Sequence, residues 1–227
     1  MKDFGSLFYN AAIVDFGSDT VKADFAGEEV PSVRFPSLIG VPKYRKMFSA
    51  GVEDELIGPD ADSRGLYKLH HPIKRGVFVS PEDAGKLVKR VFKDLKISEA
   101  NPVPVLLTQP VILPKDNKRT LADILFESRA TDYIFFATQP VLSLFAHGKS
   151  DGMVLECGDG VTQVATVFNG FKIENAFEQI AFGGYDVQRA LHAVNGEIAK
   201  LLKGRDAGDQ AGLDTALVAL DGTPNKG

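Results

Sequence analysis

Residues 156–163 read Glu156-Cys157-Gly158-Asp159-Gly160-Val161-Thr162-Gln163, set between a hydrophobic run, Met153-Val154-Leu155, and an alternating run, Val164-Ala165-Thr166-Val167-Phe168. That pattern predicts a strand, a tight glycine-rich turn and a second strand. A weaker echo lies near the N-terminus. There Ala11-Ala12-Ile13-Val14 leads into Asp15-Phe16-Gly17-Ser18-Asp19-Thr20 and on to Val21-Lys22-Ala23-Asp24-Phe25-Ala26-Gly27. In each hairpin an acidic residue closes an apolar strand, and the small residues after it let backbone N–H groups approach an anion. Two such hairpins face to face would grip a polyphosphate and its metal between two related half-domains.

Outward from the hairpins, strands and helices alternate. Residues 11–40 read as strands, punctuated by Gly17, Gly27 and Gly40 and limited in length by Pro31 and Pro36. Residues 41–63 are a polar excursion with little periodicity. Ser80-Pro81-Glu82-Asp83 opens a helix with a hydroxyl N-cap, proline at the first position and acids in the first turn. Its apolar positions Ala84, Leu87, Val88, Val91 and Leu95 fall at helical spacing. A buried strand at Val103–Thr108, a helix after Pro114, a strand at Tyr133–Phe136 and a helix from Pro140 to Ala146 complete an α/β layer pattern. His147-Gly148-Lys149-Ser150-Asp151-Gly152 is a hinge-like connection to the second hairpin. Asn169-Gly170 then turns into a short strand at Phe171–Ile173, and Gly183-Gly184-Tyr185-Asp186 starts a further helix. The Gly/Asp-rich stretch 204–227 predicts a flexible tail with one or two helical turns around Ala216–Leu220.

The 227 residues supply ample core for one large or two small domains, and the net charge of −4 argues against direct nucleic-acid binding. A single cysteine forms no internal disulfide, no apolar run approaches a membrane span, and the opening residues resemble neither a secretory signal nor a transit peptide. These features predict a soluble intracellular protein without membrane insertion. Cys157 reads as a buried or half-buried thiol, and His70, His71, His147 and His192 lack the spacing of a zinc site. The Asp15-Phe16-Gly17 tripeptide has no H-R-D or V-A-I-K companion and does not mark a protein kinase.

Several stretches together resemble actin and the actin-related proteins: I-V-D-F-G-S (13–18), F-A-G (25–27), F-P-S-L-I-G-V-P (35–42), R-G-L (64–66), H-P-I (71–73), P-V-L-L-T-Q-P (104–110), Q-P-V-L-S-L-F-A (139–146) and E-C-G-D-G-V-T (156–162). They run in family order from about Ile13 to Leu191. The resemblance implies an α/β, actin-like (ribonuclease-H-like) fold comprising a first lobe and part of the second. It divides the chain into a first lobe over 1–148, with an outer subdomain at about 41–69 carrying a mobile filament-docking loop, a partial second lobe over 149–203, and the tail 204–227. It also implies a nucleotide, ATP or ADP with Mg2+. Asp15 matches the acid that supports the metal through water; Gly17, Ser18 and Lys22 match the first phosphate loop; Gly158, Asp159, Gly160 and Val161 match the second; and Gln139 matches the water-positioning glutamine.

Several positions depart from that pattern. Asp19 replaces a loop glycine, and at an effective dielectric near 20 two like unit charges about 4 Å apart repel by roughly 4 kcal/mol. Glu156 replaces an aspartate and Gln163 a histidine that helps arrange the attacking water, while Arg75 stands where a histidine is usual. No family match follows about Leu191, so the adenine-contacting half has no counterpart in this sequence. Three expectations result. The first is a structural, C-terminally shortened actin-related subunit of a cytoskeletal assembly, with weakened or lost ATP hydrolysis and actin-like or other cytoskeletal partners. The others are an ATP-binding nucleotide switch in a filament, and an incomplete chain of a longer actin-related protein. The cytoplasm is the expected location, axonemal and nuclear assemblies staying open, and residues 56–66 look closer to the dynactin-filament type than to conventional actin.

Overall fold

The computed structural model describes residues 10–43, 56–62, 67–203 and 209–221. At its centre is β1 (Ala12–Phe16), whose period of two sends Ala12 and Val14 into the core and Ile13 outward. β2 (Thr20–Phe25) and β3 (Val33–Pro36) extend the sheet antiparallel on one side. β9 (Val105–Gln109) and β10 (Ile134–Thr138) extend it parallel on the other, giving the order β10-β9-β1-β2-β3. Between β2 and β9 the chain makes a small outer sheet, β5-β4-β6, from β4 (Ile39–Pro42), β5 (Leu56–Ile57) and β6 (Tyr67–His70), with the single turn α1 (Pro59–Asp62). A short hairpin, β7 (Ile73–Lys74) with β8 (Val77–Phe78), follows. Most of the filament-docking loop expected within 41–69, and the R-G-L match at 64–66, lie outside the described residues.

α2 (Pro81–Asp94) begins where the sequence places it: the Ser80 hydroxyl accepts the Asp83 N–H at 3.1 Å. Its apolar stripe is buried and gains Phe92 beside the predicted positions. α3 (Lys115–Glu127) bridges β9 and β10 and buries Leu121 and Leu125, so the two helices and the sheet share one core with Val14, Val21 and Leu107. The outer sheet is tied to this core by His70, whose Nε2 lies 3.2 Å from Oδ2 of the buried Asp83.

α4 (Gln139–Ala146) follows β10 without a break and packs on a second sheet. That sheet runs β11 (Gly152–Cys157), β12 (Thr162–Phe168), β13 (Phe171–Ile180), all antiparallel. The predicted short strand after Asn169-Gly170 is therefore ten residues long. Glu174, Asn175 and Glu178 depress its strand propensity, but pairing to β12 carries it on to Ile180 opposite Thr162. Gln163, Ala165 and Val167 of β12 are buried, whereas Met153, Leu155, Phe168 and Phe171 are exposed.

All of this belongs to one compact unit, Met1–Phe182, within which the boundary expected near residue 148 falls. The second unit is Gly183–Gly227. It holds α5 (Gly184–Ala193), where the Asp186 carboxylate accepts the Gly183 N–H at 2.9 Å, then a π-helical turn at Val194–Ile198 and α6 (Ala199–Leu202). α7 (Gln210–Asp221) is 12 residues, longer than the one or two turns expected, and Asp209 caps its start by accepting the Gly212 N–H at 3.0 Å.

The β12–β13 turn has left-handed backbone at both Asn169 (φ 49°) and Gly170 (φ 77°), the requirement of a tight hairpin turn. Asp151 clasps it, accepting the Asn169 N–H and the Ser150 hydroxyl, both at 2.7 Å. Those bonds hold the Asp151 carboxyl below its ordinary value of 3.8, against a small opposing effect of burial. A depressed carboxylate contributes its stability above its unfolded value and loses it as pH falls through the folded one. The Asn169 amide resonance should accordingly shift on acidification with a midpoint below 3.8, a shift absent in Asp151→Asn.

Two glycines should respond in opposite directions. Gly170→Ala forces a left-handed alanine whose Cβ lies 3.0 Å from the Phe145 ring, and should cost about 1–2 kcal/mol. Gly85→Ala, inside α2 with open space around it, should stabilise by about 1 kcal/mol. Urea unfolding of the two variants measures both.

Candidate functional site

The end of β1 places Asp15 beside two neighbours that the parallel strands bring to the same edge. The Thr108 hydroxyl, on β9, donates to Asp15 Oδ1, and Gln139 Nε2, at the start of α4, donates to the same oxygen at 3.2 Å. Lys22, opposite Asp15 on β2, holds its ammonium 3.8 Å from Oδ2. Asp15 is thus half-buried with donors on both of its oxygens.

The second hairpin meets this cluster through Gln163. Its amide is buried, 3% exposed, and its orientation is set by the Val111 N–H, which can only donate and takes Oε1 at 2.8 Å. Nε2 then donates to Gln139 Oε1 at 3.0 Å and to Glu156 Oε2 at 2.7 Å. Glu156, directly across the β11–β12 pair, accepts the Ser143 hydroxyl on its other oxygen. One hydrogen-bonded strap therefore runs from Asp15 through Gln139, Gln163 and Glu156 to Ser143.

The two glycine turns also touch. Arg75, itself left-handed at φ 55°, donates from Nη1 to the Gly160 carbonyl at 3.2 Å, and the Gly76 N–H donates to Ser18 Oγ at 3.1 Å. Gly160 packs so closely that a Cβ there would overlap Ser18 Oγ and approach Arg75 Cα to 3.0 Å. A Cβ on Gly17 would lie 2.6 Å from the Thr20 carbonyl oxygen, so both turns require glycine for space.

Beside this contact lies a cleft of ≈ 380 Å³, within the range of small-molecule sites. Every residue singled out in the two turns lines it: Asp15, Gly17, Ser18 and Lys22 from the first, Gly158, Asp159, Gly160 and Val161 from the second, with Gln139 between them. Glu156 and Gln163 line an adjoining cavity of ≈ 580 Å³. The sequence reading missed Thr108, Ser143 and Arg34. Thr108 and Ser143 sit inside quoted stretches but carry no signature of their own, and Arg34 becomes visible only once the β2–β3 register is known. Cys157 corrects an expectation: it is exposed, because strand alternation turns the end of β11 outward.

The donor set suits the phosphate end of a nucleotide, since cationic Lys22 and Arg34 and two glycine turns border the same space. A divalent ion would rest on Asp15 and the ligand's own oxygens, because the described residues contain no group of three or more His, Cys, Asp or Glu arranged to hold a metal.

An α/β sheet that ends in one glycine-turn hairpin, closed by a second such hairpin across a polar cleft, defines the class of protein. The profile of the Actin family matches residues 7–201. An "Actin-like protein" of Neurospora crassa is 38% identical over 190 residues, covering 82% of this chain and 50% of the relative. A "Centractin" of Schizosaccharomyces pombe is 34% identical over 185 residues, covering 80% of this chain and 49% of that protein. The chain belongs to the actin family and has its α/β fold. It spans about half the length of these relatives.

Gln163→Met keeps the volume of the side chain but strands the Val111 N–H and one Glu156 oxygen in a buried place. It should lower stability by about 2–4 kcal/mol in urea unfolding.

Proposed function

We propose that this chain is a structural actin-related subunit of a cytoskeletal multi-protein assembly, with ATP hydrolysis weakened or lost. The observation that carries this reading is the strap through Gln163. A glutamine that positions an attacking water must present its amide to that water. Here Gln139 Oε1 accepts from Gln163 and its Nε2 donates to Asp15, so each end of the amide already has a protein partner that fixes its direction. Gln163 carries no titratable ring, and Glu156 is tied to Ser143 and Gln163. The site holds its two hairpins together through these bonds.

Family membership and the similarity to an "Actin-like protein" and a "Centractin" support the cytoskeletal setting. The exposed apolar side chains of the second sheet, Met153, Leu155, Phe168 and Phe171, support partners that cover them. Those partners are actin-like subunits or other cytoskeletal proteins in the cytoplasm, and residues 56–66 favour the dynactin-filament type. No helix among the described residues is long and apolar enough to cross a membrane. A second reading, the nucleotide switch, is favoured by the retained cleft and by Lys22 beside Asp15.

Two measurements test the reading. Tagged chain in a cell extract should elute in a large assembly containing actin-like proteins, and elution as a 24.5 kDa monomer would sink the structural role. Single-turnover incubation with Mg-ATP should release no phosphate above the buffer rate. Release that disappears in Asp15→Asn would replace the scaffold with the switch.

A further inference from the structure

Asp15, Lys22 and Arg34 are consecutive partners across β1, β2 and β3: Asp15 pairs with Lys22, and Lys22 with Arg34. Directly opposite residues share a face with Cβ atoms roughly 4.5–5.5 Å apart, and like charges there destabilise a sheet. All three line the cleft. Lys22 has Asp15 on one side, 3.8 Å away, and a second cation on the other. Among the described residues no carboxylate is paired with Arg34. The acid diagonal to it, Asp24, is engaged elsewhere, accepting the Ser32 N–H at 2.5 Å and the Phe25 N–H at 2.7 Å. Asp19 accepts the Thr20 hydroxyl at 2.7 Å. The sheet therefore holds an ammonium and a guanidinium side by side, with Asp15 on the far side of Lys22, facing a cavity that Asp19 and Asp159 also line.

We propose that Arg34, beside Lys22 on the next strand, is a further contact to a polyphosphate held in this cleft, added to the phosphate loops that the family resemblance implies. This rests on reading the cleft as the ligand site. An anion lying against both cations relieves their repulsion, and the planar fork of arginine matches two phosphate oxygens at once. The volume of ≈ 380 Å³ and the length of the cation row suit a chain of phosphates better than a single one. Arg34 also restores the positive charge that Asp19 removes from the same cleft, so Asp19 alone does not disable it. Lys22 meets the Gln139–Gln163 strap through Asp15, whereas Arg34 lies one strand further from it.

Calorimetric titration of the whole chain with inorganic triphosphate, in EDTA and again with Mg2+, tests the assignment. Native protein should bind in EDTA with an affinity that falls steeply with salt. Arg34→Leu should weaken binding at least tenfold, Arg34→Lys less, and Arg119→Leu, on the exposed face of α3, not at all. Ligand-induced thermal shifts read the same series against each variant's own unliganded melt, so a loss of folding is not taken for a loss of binding. No heat at millimolar triphosphate, or equal affinity in native and Arg34→Leu, overturns the proposal. Binding of orthophosphate as tightly as triphosphate overturns its polyphosphate part. Phosphate release from ATP would sink the scaffold reading while leaving the Arg34 result to stand or fall alone.

Discussion

The buried amide of Gln163 has only one arrangement that satisfies its surroundings, and much of the unit Met1–Phe182 is fixed by it. Val111 N–H needs an acceptor, the Glu156 carboxylate needs donors, and Gln139 needs something to hold its carbonyl end. One side chain supplies all three. Because each partner lies on a different segment, the bond set joins the β9–α3 connection, the start of α4 and both strands of the second hairpin. An unpaired polar group at this depth costs far more than any one of the bonds contributes, so the arrangement persists as a whole. The contact of Gly160 with Ser18 and Arg75 closes the same seam from the other end.

This changes the meaning of the departures from the family pattern. Read singly, Glu156 is a displaced carboxylate and Gln163 a lost imidazole. Read together, the longer acid and the amide are the right lengths to meet across one strand pair, at 2.7 Å, with Gln139 in reach at 3.0 Å. The two side chains thus make a cross-brace. Arg75 fits the same account, since its guanidinium reaches the opposite turn where a neutral ring would not carry the same charge.

The hairpins were legible because their chemistry is local: an acid closing a strand, then glycines where no Cβ fits. The start of α2 was legible for the same reason, in four consecutive residues from Ser80 to Asp83. What escaped was non-local. β13 reads as a short strand until β12 supplies the partner that carries Glu174–Gln179 along. α7 starts at Asp209, a cap that an acidic, glycine-rich stretch hides. The partners of Gln163 lie on segments that no spacing rule connects, and Arg34 is an ordinary surface arginine until a strand register sets it beside Lys22.

β13 is the outermost strand of its sheet, long and flanked by Phe171, Ile173 and Ile180. A flat strand of that kind recruits other strands through its open row of backbone groups. Here Asn175 turns the backbone left-handed (φ 65°), the ladder to β12 slips between Ala165 and Val167, and Lys172, Glu174 and Glu178 place charge along the rim. The rim is interrupted while the broad side stays oily. A strand added at this rim would meet a broken ladder and a row of charge, which protects the edge against strand-by-strand growth.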